Sequence, residues 1–423
     1  MINHTAPSTR RSTFVFALLL GGAAISYMGQ SSVQILGHIL ALSGLVALVL
    51  LWPIVSRIRA QIIFTWCMGM LLVTLSSMLL AYQYATSMRL VIQSVMYPLV
   101  LAGLLLYSWR ILDANLAKLA GLLACIGMLN GAVALLASTG VVTSWPLVGD
   151  ISTGRYIFGT QIPSSAGLAL NVNYYSTLQG TIFLMYAWFL SNLSNARRWY
   201  QVLIGVVLLA SVAIGSSRGV VAAMMAAGLG WFAIYFLHLR LQSKLKYFLL
   251  IIALLCIGTY LFTVYWDWIE TAFRFDRGLN FRDVIWSAGL QLWIERPLLG
   301  YGYAGATSDM LGELIGREGS LHSGYLSTLT RGGALLFVLV YGGVTGILIL
   351  GLGLSRERWW RHRWPVAIVI FYLANSAIRS FNLGGLGLLP LVTAIALSVI
   401  LYAKYLEVTR GKKVLGEADI DDI

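Results

Sequence analysis

Of the chain's 423 residues, 59% are hydrophobic and only 11% charged, against roughly 25% charged in an ordinary soluble domain, so a soluble fold could not hide its apolar surface. A net charge of +13 in such a chain reads as positive-inside signal and affinity for anionic membrane lipid, not as a nucleic-acid footprint. Apolar blocks of about 20 residues, the length that crosses roughly 30 Å of hydrocarbon, exclude the short alternating strands of an outer-membrane barrel. They predict an all-α, polytopic integral membrane protein: a single membrane domain over 1–423 with about twelve transmembrane helices, and one large external loop at 267–332.

In chain order the spans fall at 13–28, 33–51, 60–81, 89–107, 115–138, 166–190, 199–214, 219–238, 247–266, 333–354, 364–380 and 386–405. Basic residues set the orientation. With the amino terminus inside, most of the 29 Lys and Arg fall in cytoplasmic segments. The short external loops keep only Arg89, Arg155, Arg218 and Arg379. Both termini are therefore expected in the cytoplasm. Arg10 and Arg11 ahead of an apolar run have the form of a signal peptide, but the charge pattern needs an uncleaved first span. Cys67, Cys125 and Cys256 fall inside spans, as small core residues and not as a disulfide or metal framework. No soluble domain is expected at either end, and the tail from Glu407 reads as solvated. Without a strong internal repeat or paired broken helices, the pattern speaks against a secondary transporter.

The external arginines carry the functional signal. Arg218 lies in Gly215-Ser216-Ser217-Arg218-Gly219, a short turn where Ser216 or Ser217 can cap the next helix. A cation in that first turn opposes the helix dipole unless an anion is bound there; the alternative is snorkelling to the headgroups. In the long loop, Asn280-Phe281-Arg282-Asp283 reads as a helix start capped by Asn280. Phe281, Ile285, Ala288 and Leu292 follow at helical spacing with Trp286 and Trp293 beside them, until Pro297 stops the run. This predicts an interfacial amphipathic helix with Arg282 at its start, where it either meets an anion or pairs with a neighbouring Asp. Further on, His322, Tyr325, Leu326 and Leu329 are spaced to share one helical face. A lone His among arginines is a poor zinc site but a suitable proton acceptor, since adjacent cations lower its pKa; a purely structural histidine is the alternative.

Ser217-Arg218-Gly219 after a span, Arg282 and Trp286 in a long external loop, Pro297-Leu298-Leu299-Gly300-Tyr301-Gly302, and His322 before Tyr325-Leu326 together resemble the O-antigen ligase and O-antigen polymerase superfamily, most of all its ligases. The motifs run over roughly 150–345. Two departures stand out: His322-Ser323 where many members have His-Asn, and Asn171-Val172-Asn173 where many have Asn-Pro-Asn. The latter leaves Asn171 and Asn173 as weaker candidates. The resemblance implies glycosyl transfer at the periplasmic face of the inner membrane. The donor would be a glycan on undecaprenyl pyrophosphate, and the acceptor a lipid A-core sugar (ligase) or another lipid-linked repeat (polymerase). Arg218 and Arg282 would neutralise the leaving pyrophosphate and His322 would accept the hydroxyl proton. Arg155, Arg89, Tyr325 and Asn173 would bind substrate. No metal or other cofactor is expected, because the first external loop, about 28–33, has no acidic residue. Single displacement would invert the anomeric centre. The rival class, a lipid-linked-glycan transporter, places charges midway through its spans; here they gather at one face.

Overall fold

The computed structural model describes residues 6–28, 30–52, 57–80, 88–141, 151–157, 160–193, 199–215, 217–237, 260, 263–265, 281–302, 308–316, 320–354, 356–381 and 383–414. Helices dominate: α1 (Ala6–Ile25), α2 (Ser31–Leu51), α3 (Arg57–Leu80), α4 (Met88–Tyr107), α5 (Leu116–Ser138), α6 (Val172–Ser191), α7 (Trp199–Ile214) and α8 (Arg218–Leu237). After the long loop come α9 (Arg282–Glu295), α10 (Ser308–Ile315), α11 (Gly324–Phe337), a π-helical turn (Val338–Gly342), α12 (Gly343–Leu352), α13 (Arg356–Ser376) and α14 (Leu388–Val414). Among the described residues seven helices are long and apolar enough to cross a membrane, fewer than the twelve expected. The protein is a multi-pass membrane protein. Helices answer the other expected spans except 247–266, which lies largely outside the described residues.

Burial separates the centre of the bundle from its rim. The apolar window of α14 is 78% buried, whereas that of α8 is only 22% buried. On α2, Ile35, Leu36, Ile39 and Val46 are exposed. Large apolar side chains in continuous exposed rows suit lipid, not water. Around α14 pack α1, α4, α6, α12 and α13. The α1–α2 pair is very close: a methyl group on Gly37 would lie 2.7 Å from the Gly22 carbonyl oxygen, the small-residue contact that membrane helices use. Cys67 is buried, but Cys125 is exposed on α5, not in the core.

Two features depart from the expected plan. An antiparallel hairpin, β1 (Ile151–Ile157) and β2 (Thr160–Ser165), precedes α6, so the fold is helical with one small sheet. The span expected at 333–354 also begins earlier, at Gly324, with a break at Gly333 (φ 62, ψ −166). Polar Ser327, Thr328 and Thr330 hid this turn of helix from a hydropathy reading, yet all three are buried. Thr328 and Thr330 donate their hydroxyls back to Gly324 and Leu326 carbonyls, at 2.8 and 3.0 Å.

Candidate functional site

One end of the bundle, here the loop face, gathers the segments that carry the candidates. Leu170 donates its N–H to the Tyr27 carbonyl (3.0 Å), and Met28 bridges Ala169. At the start of α8 a side chain on Gly219 would overlap Ile378. A methyl on Gly324 would lie 3.0 Å from the Arg379 carbonyl oxygen. The first turns of α8 and α11 therefore both pack on the connection between α13 and α14.

Arg218 opens α8, and the Ser217 carbonyl accepts the Val221 N–H (3.1 Å). Ser217 is the residue before the helix, as expected. Arg282 opens α9, but the residue before it is Phe281 in the left-handed region (φ 64) with no side-chain cap; Asn280 lies outside the described residues. Of the apolar face read from sequence, Ile285, Ala288 and Leu292 are buried, with Gly289 beside them, against Tyr301, Leu311 and Leu321, whereas Phe281 is exposed. Trp286 Nε1 donates to the Leu321 carbonyl (3.0 Å), tying α9 to the strand of chain that leads to His322.

Pro297 to Gly302 docks on the break in α11. The Tyr301 and Gly302 N–H groups donate to the Thr330 (2.8 Å) and Arg331 (2.7 Å) carbonyls, and the Ala334 N–H donates to the Pro297 carbonyl (2.7 Å). Gly300 (φ 61) and Gly333 (φ 62) face each other's segments so closely that no side chain fits. From α3, Ser77 Oγ donates to the Arg331 (2.7 Å) and Leu299 carbonyls. The Pro-Leu-Leu-Gly-Tyr-Gly motif is thus a backbone clasp that satisfies the carbonyls freed where the helix breaks.

His322 is not on the α11 face expected for it. Ser323 caps that helix, accepting the Leu326 N–H (3.4 Å), and His322 stands just before the cap with φ 48. A bulky residue held at positive φ is unfavourable by about 1–2 kcal/mol; Phe281 and His322 are the described non-glycine residues that show it. Each fixes one end of a connection whose next side chain or own side chain enters the cluster described next.

Three cations and the imidazole form a chain of neighbouring charges: Arg218 acts on Arg282, Arg282 on Arg379, and Arg282 and Arg379 on His322. Burial first, then Arg379 and Arg282, lower the His322 pKa below its ordinary 6.5. Burial and then Arg218 lower that of Arg282. Burial, then Arg282, push Arg379 down to about 10, against a small opposing contribution from Tyr174. Such a concentration of half-buried like charge favours an anion, and guanidinium forks match phosphate oxygens. The histidine beside it is kept neutral at pH 7. Asp283 is exposed in the first turn of α9, while Glu295 accepts the Tyr301 hydroxyl at 2.5 Å. Among the described residues no three His, Cys, Asp or Glu converge.

The other candidates divide. Arg379 joins the cluster, although sequence reading named it only as an external arginine; its signal was that it stands outside the positive-inside pattern beside Arg218. Tyr325 turns inward, donating its hydroxyl to the Leu373 carbonyl (2.7 Å) and meeting Tyr341 edge-on at 4.4 Å. Asn173 is half-buried in the first turn of α6, and Asn171 caps that helix by accepting the Asn173 and Tyr174 N–H groups (3.0 and 3.1 Å). Arg155 pairs with Ile162 in the hairpin, and Arg89 is in the first turn of α4; their side chains lie outside the described residues.

Residues 203–341 match the family described as O-antigen ligase. That segment runs from α7 to the π-helical turn and holds Arg218, Arg282, His322 and the clasp. That segment is similar to the O-antigen ligase family domain. The resemblance read from short motifs is therefore present in the same segment. Arg379, Asn173, Arg155 and Arg89 lie outside the O-antigen ligase segment. No curated protein matches the chain. A domain of that family implies glycan transfer of the O-antigen ligase or polymerase type, with lipid-linked glycans as the general substrate class.

Proposed function

We propose that this protein is an O-antigen ligase that transfers a glycan from undecaprenyl pyrophosphate to a sugar hydroxyl of the lipid A core, at the periplasmic face of the inner membrane. The observation that carries the reading is the grouping of Arg282 and Arg379 beside a histidine whose pKa is lowered, with Arg218 next to Arg282. The arginines hold the pyrophosphate and neutralise the charge that grows on it as the anomeric C–O bond breaks. The acceptor oxygen forms the new bond from the opposite face. Its proton passes to the neutral imidazole of His322, and undecaprenyl pyrophosphate departs with the electron pair. One displacement inverts the anomeric centre. The arginines answer the leaving-group charge and His322 the acceptor proton, and the reaction is written without a metal.

The test uses the purified full chain, undecaprenyl-pyrophosphate glycan, and either lipid A-core or a second lipid-linked repeat as acceptor. The ligase reading expects product on lipid A-core and none on the lipid-linked repeat, with rates unchanged by chelator. Product on the lipid-linked repeat alone would make the protein a polymerase. No consumption of donor with either acceptor would overturn glycosyl transfer itself.

A further inference from the structure

Beside the cation cluster, the loop face opens into a cavity of ≈ 500 Å³ between α1, α2, α4, α6 and the 380–390 connection. Its volume is within the range of small-molecule sites, about 300–1,000 Å³. Its wall joins the cluster directly: Ser380 and Phe381 line it immediately after Arg379, and Tyr174, whose field acts on Arg379, lines it too.

The lining has a definite chemistry. Tyr27, Tyr97, Tyr174 and Phe381 supply aromatic surface, with Tyr174 edge-on to Tyr27 at 5.5 Å and to Phe381 at 6.3 Å. Gln34, Gln93 and Ser380 supply neutral donors and acceptors, and His38 an imidazole. Ser380 Oγ is buried and has no hydrogen-bond partner among the described residues. Among the described residues, no Lys, Arg, Asp or Glu is in the lining. A phosphate would want cations, and a polyprenyl tail would want wholly apolar walls. Neutral amides and hydroxyls set among aromatic rings fit a ligand whose faces are C–H and whose rim is hydroxyl.

We propose that this cavity binds a saccharide and presents it to the adjoining arginine and histidine cluster. This rests on the glycosyl-transfer reading, whose sugars come from two sources, the donor glycan and the acceptor. Sequence reading missed the site because its members come from five separated segments and none is charged.

Kinetics and binding test it in a detergent without a sugar headgroup. In the purified full chain, Gln93→Leu combined with Ser380→Ala should raise the KM for one saccharide substrate about tenfold, the scale of one or two neutral hydrogen bonds, at unchanged kcat. Varying lipid A-core and lipid-linked glycan separately tells which sugar occupies the cavity. A fall in kcat with both KM values unchanged would overturn the proposal. Saturation-transfer NMR with the free core oligosaccharide, and separately with the free donor glycan, gives a readout independent of turnover. Signal on sugar ring protons in the unaltered protein, lost in the variant, supports the site even if no transfer is seen. That combination would place the failure in the glycosyl-transfer reading. No signal from either saccharide would overturn the cavity's assignment.

Discussion

His322 is held at φ 48 between Leu321, which carries the hydrogen bond from Trp286, and the Ser323 cap. Its imidazole is placed by backbone, not by a helix face, and a small shift of either neighbour would move it. Because burial, Arg379 and Arg282 all lower its pKa, the base is neutral at pH 7 and takes up its proton only below 6.5. The pH profile of kcat/KM should therefore be flat near neutrality and fall on the acid side, with the limb below the ordinary imidazole value. Arg379→Gln removes a cation facing the ring, so the limb should move up in pH; an unmoved limb would detach Arg379 from the histidine. Arg218→Lys keeps charge but loses the fork, and the donor KM should rise about 10-fold or more, the scale of a charge-assisted hydrogen bond. The residue types at the site were legible in sequence because lone external arginines and a lone external histidine are conspicuous in an apolar chain. Their convergence was not, since Arg379 comes from a turn some 50 residues past His322's helix start and reaches the site only through packing of Gly324 and Gly219 on that turn.

At the scale of elements, the apolar blocks gave helices with small end errors: 199–214 expected against Trp199–Ile214 found, and 115–138 against Leu116–Ser138. Period alone also predicted the buried face of α9 at Ile285, Ala288 and Leu292, though not at Phe281, which is exposed. Residues 324–332 were read as helix of the external loop and not as part of the span, because serine and threonine lower hydropathy while satisfying themselves within a helix. The hairpin at 151–165 carried no long apolar or helical signal to read. Pro-Leu-Leu-Gly-Tyr-Gly was recognised as a motif, but its work as a clasp on the Gly333 break depends on two left-handed glycines that only the structure reveals. Gly300→Ala should accordingly lower stability by at least about 1–2 kcal/mol, the cost of a left-handed residue alone, with the Thr330 carbonyl in the way of the new methyl. Thermal unfolding in detergent would read it. An unchanged melting temperature would mean that the clasp is not tightly closed.

Across the whole molecule, a lipid-facing rim surrounds α14, and the loop face collects the polar chemistry at one end, where a cation cluster adjoins a neutral aromatic cavity. That division suits an enzyme that holds a pyrophosphate and a sugar side by side at a membrane surface. With both termini expected in the cytoplasm, a reporter fused after Glu417 should read as cytoplasmic, and an external reading would invert the assignment of the loop face to the periplasm. The most direct measurement is a paired assay on purified unaltered protein and His322→Ala: release of undecaprenyl pyrophosphate on adding acceptor, alongside equilibrium binding of the donor. Release should fall about 10²-fold or more, the usual effect of losing a positioned base, while donor binding stays within about twofold because the arginines remain. Full release by His322→Ala, with donor bound as before, would contradict the role of this histidine in glycosyl transfer.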